Sequence, residues 1–259
     1  MVSINISLAQ IQSFLLVFLR VGAILLSAPV LNGQSAPTLF KLGLILSISF
    51  WVFVTRPIDV SGFNASLVMF ALMVASEVAV GLIIGFVVRT IFIGVQLGGQ
   101  IAGYQMGLSI ANVMDPASSM QVPIIAQIFN LFTILLFLSF NAHYWFIKAL
   151  NDSFILVPPL EYQFSEDLVA PVLHLAGNIF VIAIKVAAPI MVSLLLSTVA
   201  LGVLARTVPQ MHIFIVAMPL KIVIGLFFLA LTLPFLSVFL KDIFRGVGHE
   251  LLGLIKLLA

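Results

Sequence analysis

The chain has 259 residues, 63% of them hydrophobic and 8% charged, a formal net charge of +2 and no cysteine. Soluble domains carry roughly 25% charged residues, so this composition describes an integral membrane protein. Its basic residues are scattered along the chain, not clustered on one face as a nucleic-acid surface requires, and the lack of cysteine excludes disulfides, thiolate chemistry and cysteine-based metal sites.

The first segment, from Leu8 to Leu31, has no basic residue ahead of its apolar run, and Arg20 lies inside it. A cleaved signal peptide has the reverse order, so this segment is expected to be retained. Asn32 to Pro37 closes it with turn residues. Leu39 to Thr55 is a second, shorter segment stopped by Arg56-Pro57, and Ala65 to about Val95 a third, unusually long one that contains Glu77 and Arg89. A polar, glycine-rich stretch follows, Gly94 to Pro123. Ile124 to Ile147 is the fourth segment, Leu168 to Leu204 the fifth, and His212 to Leu240 the sixth, with Lys241 to Ala259 as a short amphipathic tail. With about 20 residues needed to cross a hydrocarbon core, the expected fold is all-α with about six long apolar segments.

Lys148 to Ala170 reads as the extended polar connection. It carries Asp152, Glu161, Glu166 and Asp167 against Lys148 alone, which suits the non-cytoplasmic side. Arg206 would then be cytoplasmic. The tail beyond the sixth segment holds Lys241, Arg245 and Lys256, so both ends of that segment are basic. A simple six-span bundle and a set of kinked hairpins supported by neighbouring subunits remain the alternatives.

Several charges interrupt apolar sequence: Arg20, Glu77, Arg89, Lys185 and Lys221. Glu77 has Gly81 and Gly85 at helical spacings of four and eight, which puts all three on one face where another helix can approach. It reads either as an intramembrane carboxylate for proton or ion traffic, or as a paired charge with Arg20, Arg89, Lys185 or Lys221 for partner. Lys185, four residues before Pro189, is expected to be a buried cation; Lys221 and Arg206 flank the turn at Thr207 to Met211 and look interfacial. The four histidines are far apart, without the converging ligands of a metal site. No nucleophile elbow, phosphate loop or dinucleotide fingerprint appears. Neither an enzymatic activity nor a cofactor is expected.

The stretch from Gly94 to Pro123 holds five glycines, five glutamines or asparagines and the Asp115-Pro116 turn. Gly94 and Gly98, then Gly99, Gly103 and Gly107, repeat the small-xxx-small spacing of closely packed membrane helices. Packing alone does not explain Gln96, Gln100, Gln105, Asn112, Asp115 and Gln121, which need partners or water. A kinked helix passing into a cavity-facing loop satisfies both.

Two long motifs carry a resemblance to a known family. GGQIAGYQMGLSIANVMDP, and GVLARTVPQMHIFIVAMPLKIVIG from Gly202 to Gly225, resemble the central and C-terminal signatures of the FliR family of the flagellar export apparatus. Arg20 with AILLSAPVLNGQSAP, and the glutamate and glycine pattern around Glu77, fit as well, so the likeness spans nearly the whole chain.

The resemblance implies a subunit of a protein-conducting gate in the bacterial inner membrane, at the flagellar basal body. This subunit assembles with FliP and FliQ into a helical cone, associates with FlhB and passes unfolded export substrates. It implies a FliP-like part over residues 1–170 and a FliQ-like hairpin over 171–259. It also implies a pore plug within Met106 to Gln121, with Met106, Gly107, Asn112, Met114, Asp115, Pro116, Met120 and Gln121 as its candidate residues. A cytoplasm-proximal turn would be shaped by Arg206, Thr207, Pro209 and Gln210. An ion-coupled secondary transporter using Glu77 is the alternative from a different functional class.

Overall fold

A computed structural model describes residues 7–29, 37–56, 67–108, 123–159, 166–207 and 213–258. Within them the chain is all helical: α1 (Leu8–Ser27), α2 (Thr38–Thr55), α3 (Leu67–Gln105), α4 (Ile124–Ser139), α5 (Ala142–Leu156), a 3-10 turn (Glu166–Leu168), α6 (Val169–Thr207) and α7 (Ile213–Leu258). The expected all-α membrane architecture is therefore what the chain adopts. Among the described residues five helices can cross a membrane by length and composition, or six if α4 and α5 count as one broken span.

Local sequence sets the ends of these helices. Ser7 and Gln10 form a reciprocal capping box at the start of α1, with Ser7 N–H donating to Gln10 Oε1 at 3.0 Å and Gln10 N–H donating to Ser7 Oγ at 3.3 Å. Pro37 and Pro123 stand at the N-caps of α2 and α4, where the missing proline N–H leaves no helical bond unmade. At the far end of α3, Gly107 adopts φ +82°. Leu108 N–H bonds to the Gly103 carbonyl and Gly107 N–H to the Tyr104 carbonyl, the double bond of a Schellman stop.

Three expectations change. The fourth segment is not one run: the helix breaks between α4 and α5, where Asn141 takes a left-handed conformation at φ 55°, which asparagine tolerates better than branched residues. The polar connection is correspondingly shorter, since Lys148 to Leu156 belong to α5. The tail after Leu240 does not separate from the sixth segment. Leu240, Phe244, Val247, Leu251, Leu254 and Leu258 stay buried at alternating three- and four-residue spacing, so one apolar stripe runs through a single helix of 46 residues. At 1.5 Å per residue α3, α6 and α7 reach roughly 58, 58 and 69 Å, about twice a hydrocarbon core. Basic residues at both ends of the sixth segment therefore do not define one simple crossing.

The chain forms two compact units. One gathers Met1–Arg89, Asn141–His174 and Gly246–Ala259; the other gathers Thr90–Phe140 and Leu175–Arg245. In the first, α2 turns only Ile45, Ser49 and Val52 inward, a narrow stripe, with Phe53 edge-on to Phe14 of α1 at 5.7 Å. In the second, Phe92, Phe137 and Phe244 form a triangle of rings with centroids 5.5 to 6.4 Å apart.

Candidate functional site

The charges in the middle of α1 and α3 find each other inside the first unit. Arg20 donates Nε–H to Glu77 Oε2 at 2.5 Å and Nη2–H to Glu77 Oε1 at 3.0 Å, the two-pronged geometry that suits a guanidinium and a carboxylate. The side chains are 0% and 1% exposed. Nη1 donates to the carbonyls of Ser153 at 3.0 Å and Val157 at 2.7 Å, and the Phe154 ring lies 4.6 Å from the guanidinium carbon. The last carbonyls of a helix lack intrahelical donors, and the negative end of the helix dipole favours a cation. Arg20 thus caps α5 while it pairs with α3, and one guanidinium ties three helices together.

The close approach of α1 and α3 depends on the two glycines that follow Glu77 on its face. A Cβ at Gly81 would lie 2.6 Å from Ala23 Cβ and 2.9 Å from the Arg20 carbonyl oxygen; at Gly85 it would lie 1.4 Å from Ser27 Oγ. Arg20, Ala23 and Ser27 recur at the three- and four-residue spacing that matches Glu77, Gly81 and Gly85. Without side chains at those glycines the backbones approach closely enough for the short ion pair.

Further along α3, the glycines in the second unit serve two other helices. Cβ atoms at Gly94 and Gly98 would meet α6, 2.8 Å from Ile182 Cβ and 2.8 Å from the Ala183 carbonyl oxygen. At Gly99 a Cβ would come 2.6 Å from Ala126 Cα on α4, whereas at Gly103 its nearest neighbours are at 3.7 Å, an ordinary contact. On the remaining face Gln96 and Gln100 are half-buried and Tyr104 and Gln105 exposed. Met106, immediately before the Schellman glycine, is 0% exposed. Its side chain fills the space that a Cβ on Gly225 would need, 2.5 Å from Met106 Cγ.

The other predicted residues are dispersed. Arg89 and Arg206 are exposed and Lys221 is half-buried. Lys185, expected to be buried, is exposed, with its Nζ 5.6 Å from the Phe239 ring, although its neighbours Ile182, Ala183 and Val186 on α6 are buried. Thr207, also exposed, ends α6 with its hydroxyl donating to the Leu204 carbonyl at 3.0 Å. Asn112, Met114, Asp115, Pro116, Met120 and Gln121 lie outside the described residues, as do Pro209 and Gln210. Among the described residues no three histidine, aspartate or glutamate side chains converge as metal ligands.

Sequence reasoning missed Gly225 as the notch for Met106, the role of Arg20 at the end of α5, and Phe154 beneath it. Gly225 carries no spacing signal, and Ser153 and Val157 act through their backbone. Only the fold brings these groups to the buried pair.

Comparison with known proteins places the chain in a family. The family model for bacterial export proteins, family 1, matches residues 11–247. The flagellar biosynthetic protein FliR of Escherichia coli (strain K12) is 34% identical over 240 residues, covering 92% of this chain and 90% of the relative. The protein of the same name from Bacillus subtilis (strain 168) is 32% identical over 248 residues, 95% of each. That from Caulobacter vibrioides is 28% identical over 236 residues, 91% of this chain and 94% of the relative.

Proposed function

The chain belongs to the FliR family of bacterial export proteins, and on that premise we propose that it is a core subunit of the flagellar type III export gate. In this reading it forms, with FliP and FliQ, the pore through which unfolded flagellar proteins cross the inner membrane at the basal body. FlhB is a further partner, residues 1–170 act as the FliP-like part and 171–259 as the FliQ-like hairpin. The stretch from Met106 to Gln121 helps to close the pore. The subunit contributes a shaped passage and a closure, and does no bond chemistry.

The observation that best supports this reading is the division of labour along the second half of α3. Its glycines are buried against α4 and α6, while Gln96, Gln100 and Tyr104, at successive four-residue spacing, stay partly uncovered. Lipid does not satisfy amide groups, so this polar stripe suits an aqueous lumen or a partner subunit. The alternative, a transporter coupled through Glu77, is disfavoured because both carboxylate oxygens of that residue are engaged by a fully buried Arg20.

The test joins co-purification with a leak assay. Tagged chain should bring down FliP and FliQ. Deletion within residues 106–121 should leave that complex assembled but make cells permeable to ions and small solutes. Loss of small-solute uptake by the purified single chain, with no leak on deletion, would instead identify a transporter.

A further inference from the structure

The gate reading makes no use of one feature of the first unit. A groove of about 460 Å³ opens between α1, α2 and α5, walled by Leu25, Ile48, Trp51 and Ile147, with Tyr144, Lys148 and Asn151 also lining it. The aromatic composition around it is unusual for this chain. Of its aromatic residues 23 are phenylalanine, three tyrosine and two tryptophan. Trp51 and Tyr144 line the groove, and Trp145, the other tryptophan, is next to Tyr144 and lies under Lys148 Nζ at 5.6 Å. Trp51, Tyr144 and Trp145 are all substantially exposed, at 55%, 63% and 43%. Tryptophan and tyrosine gather where hydrocarbon meets headgroups, because each has an apolar ring and a polar N–H or O–H.

Among the described residues that line the groove the charge has one sign. Lys148 is exposed on the groove wall. Arg56 reaches the same wall, its Nε donating to Asn151 Oδ1 at 3.4 Å. Among the described residues neither cation forms an ion pair within 4 Å, a distance that Arg20 and Glu77 meet. Asp152, one turn beyond Lys148, does not line the groove.

We propose that this groove binds one anionic phospholipid. An acyl chain occupies the apolar cleft, the phosphate sits against Lys148 and Arg56, and Trp51, Tyr144 and Trp145 mark the headgroup level. The pairing of an apolar cleft with two cations fits a lipid of net negative charge better than a zwitterionic one. The proposal does not depend on the gate reading: it assigns where this chain meets lipid, whatever crosses the membrane beside it.

Both native tryptophans are at the site, so their fluorescence reports on it directly. The full chain is reconstituted in phosphatidylcholine vesicles, and phosphatidylglycerol or phosphatidylcholine with brominated acyl chains is titrated in as the quencher. Brominated phosphatidylglycerol should quench at a several-fold lower mole fraction than brominated phosphatidylcholine. Lys148→Gln and Arg56→Gln should each reduce that preference about fivefold, as expected for a single basic residue near an anionic lipid. Lys148→Arg should keep it. Trp145→Phe, which leaves Trp51 as the reporter, should also keep it. Helix content by circular dichroism checks that each variant is folded. Equal quenching by the two lipids, or a preference that survives the Lys148→Gln, Arg56→Gln double substitution, overturns the proposal. Absence of quenching by either lipid also overturns it, because the groove would then be covered by protein, either a second copy or a partner helix.

Discussion

Glu77→Gln keeps the shape of the side chain and removes its charge. In the folded chain it leaves the Arg20 guanidinium at 0% exposure, with the Ser153 and Val157 carbonyls and the Phe154 ring as its remaining neighbours. Two of the four hydrogen bonds described for Arg20 go to Glu77, and removing one member of a buried pair typically destabilises by about 3–5 kcal/mol. The glutamine oxygen still accepts one bond, which places the expected loss near the lower end, about 3 kcal/mol. Arg20→Met should lose as much or more, because it strands Glu77 and also uncaps α5. The double variant Arg20→Met, Glu77→Leu should recover a large part of that loss, since an apolar pair of similar volume often matches a buried ion pair. Reversible unfolding in mixed micelles, followed by circular dichroism, measures the parent, Arg20→Met, Glu77→Leu and the double variant as the four species of the cycle, with Glu77→Gln beside them. Arg89→Gln, on the exposed side of the same helix, is the control and should stay within about 0.5 kcal/mol of the parent. If Glu77→Gln is no more harmful than Arg89→Gln, or if the two single losses simply add, the buried pair is not holding the three helices.

The glycines of α3 give a graded series. Gly85→Ala pushes a Cβ into Ser27 and should destabilise by about 1–3 kcal/mol, read in the same unfolding assay. Gly99→Ala meets the backbone of α4 and should lose a similar amount, whereas Gly103→Ala, with 3.7 Å of clearance, should be near neutral by melting temperature. Gly225→Ala should be destabilising alone and largely rescued by Met106→Ala, because the second change removes the side chain that the new Cβ meets; additive losses in that pair would rule out the notch. Gly107→Ala should lose about 1–2 kcal/mol through its left-handed backbone, and proteolysis near the end of α3 should speed up accordingly.

Much of the fold is legible in the chain because apolar length and turn residues are local signals. Pro37 and Pro123 bound apolar segments in the sequence as they do in the structure, whereas Gly107, read there as one of the close-packing glycines, instead stops α3 with its φ of +82°. The break at Asn141 was not legible: nothing in Ser139-Phe140-Asn141 outweighs the apolar run around it, and the left-handed φ of one residue leaves no periodic signal. The long α7 was hidden for the opposite reason. Its charges after Leu240 look like a change of environment, while the buried stripe continues unbroken beneath them.

The sequence by itself determined that this is an all-helical membrane protein, that its charges inside apolar runs need partners, and that α3 carries glycines at close-packing intervals. Those are properties of composition and of a 3.6-residue period, and they need no knowledge of neighbours. It could offer four cations for Glu77 without choosing among them. Tertiary structure chose Arg20, because Gly81 and Gly85 bring α1 against α3 at that one level and the end of α5 supplies the Ser153 and Val157 carbonyls to its guanidinium. The same step distributed the glycine stripe among three different helices and brought Trp51, Tyr144 and Lys148 to one groove, with Trp145 and Arg56 beside it. Such convergence depends on which backbones approach each other, and a helical period cannot encode that.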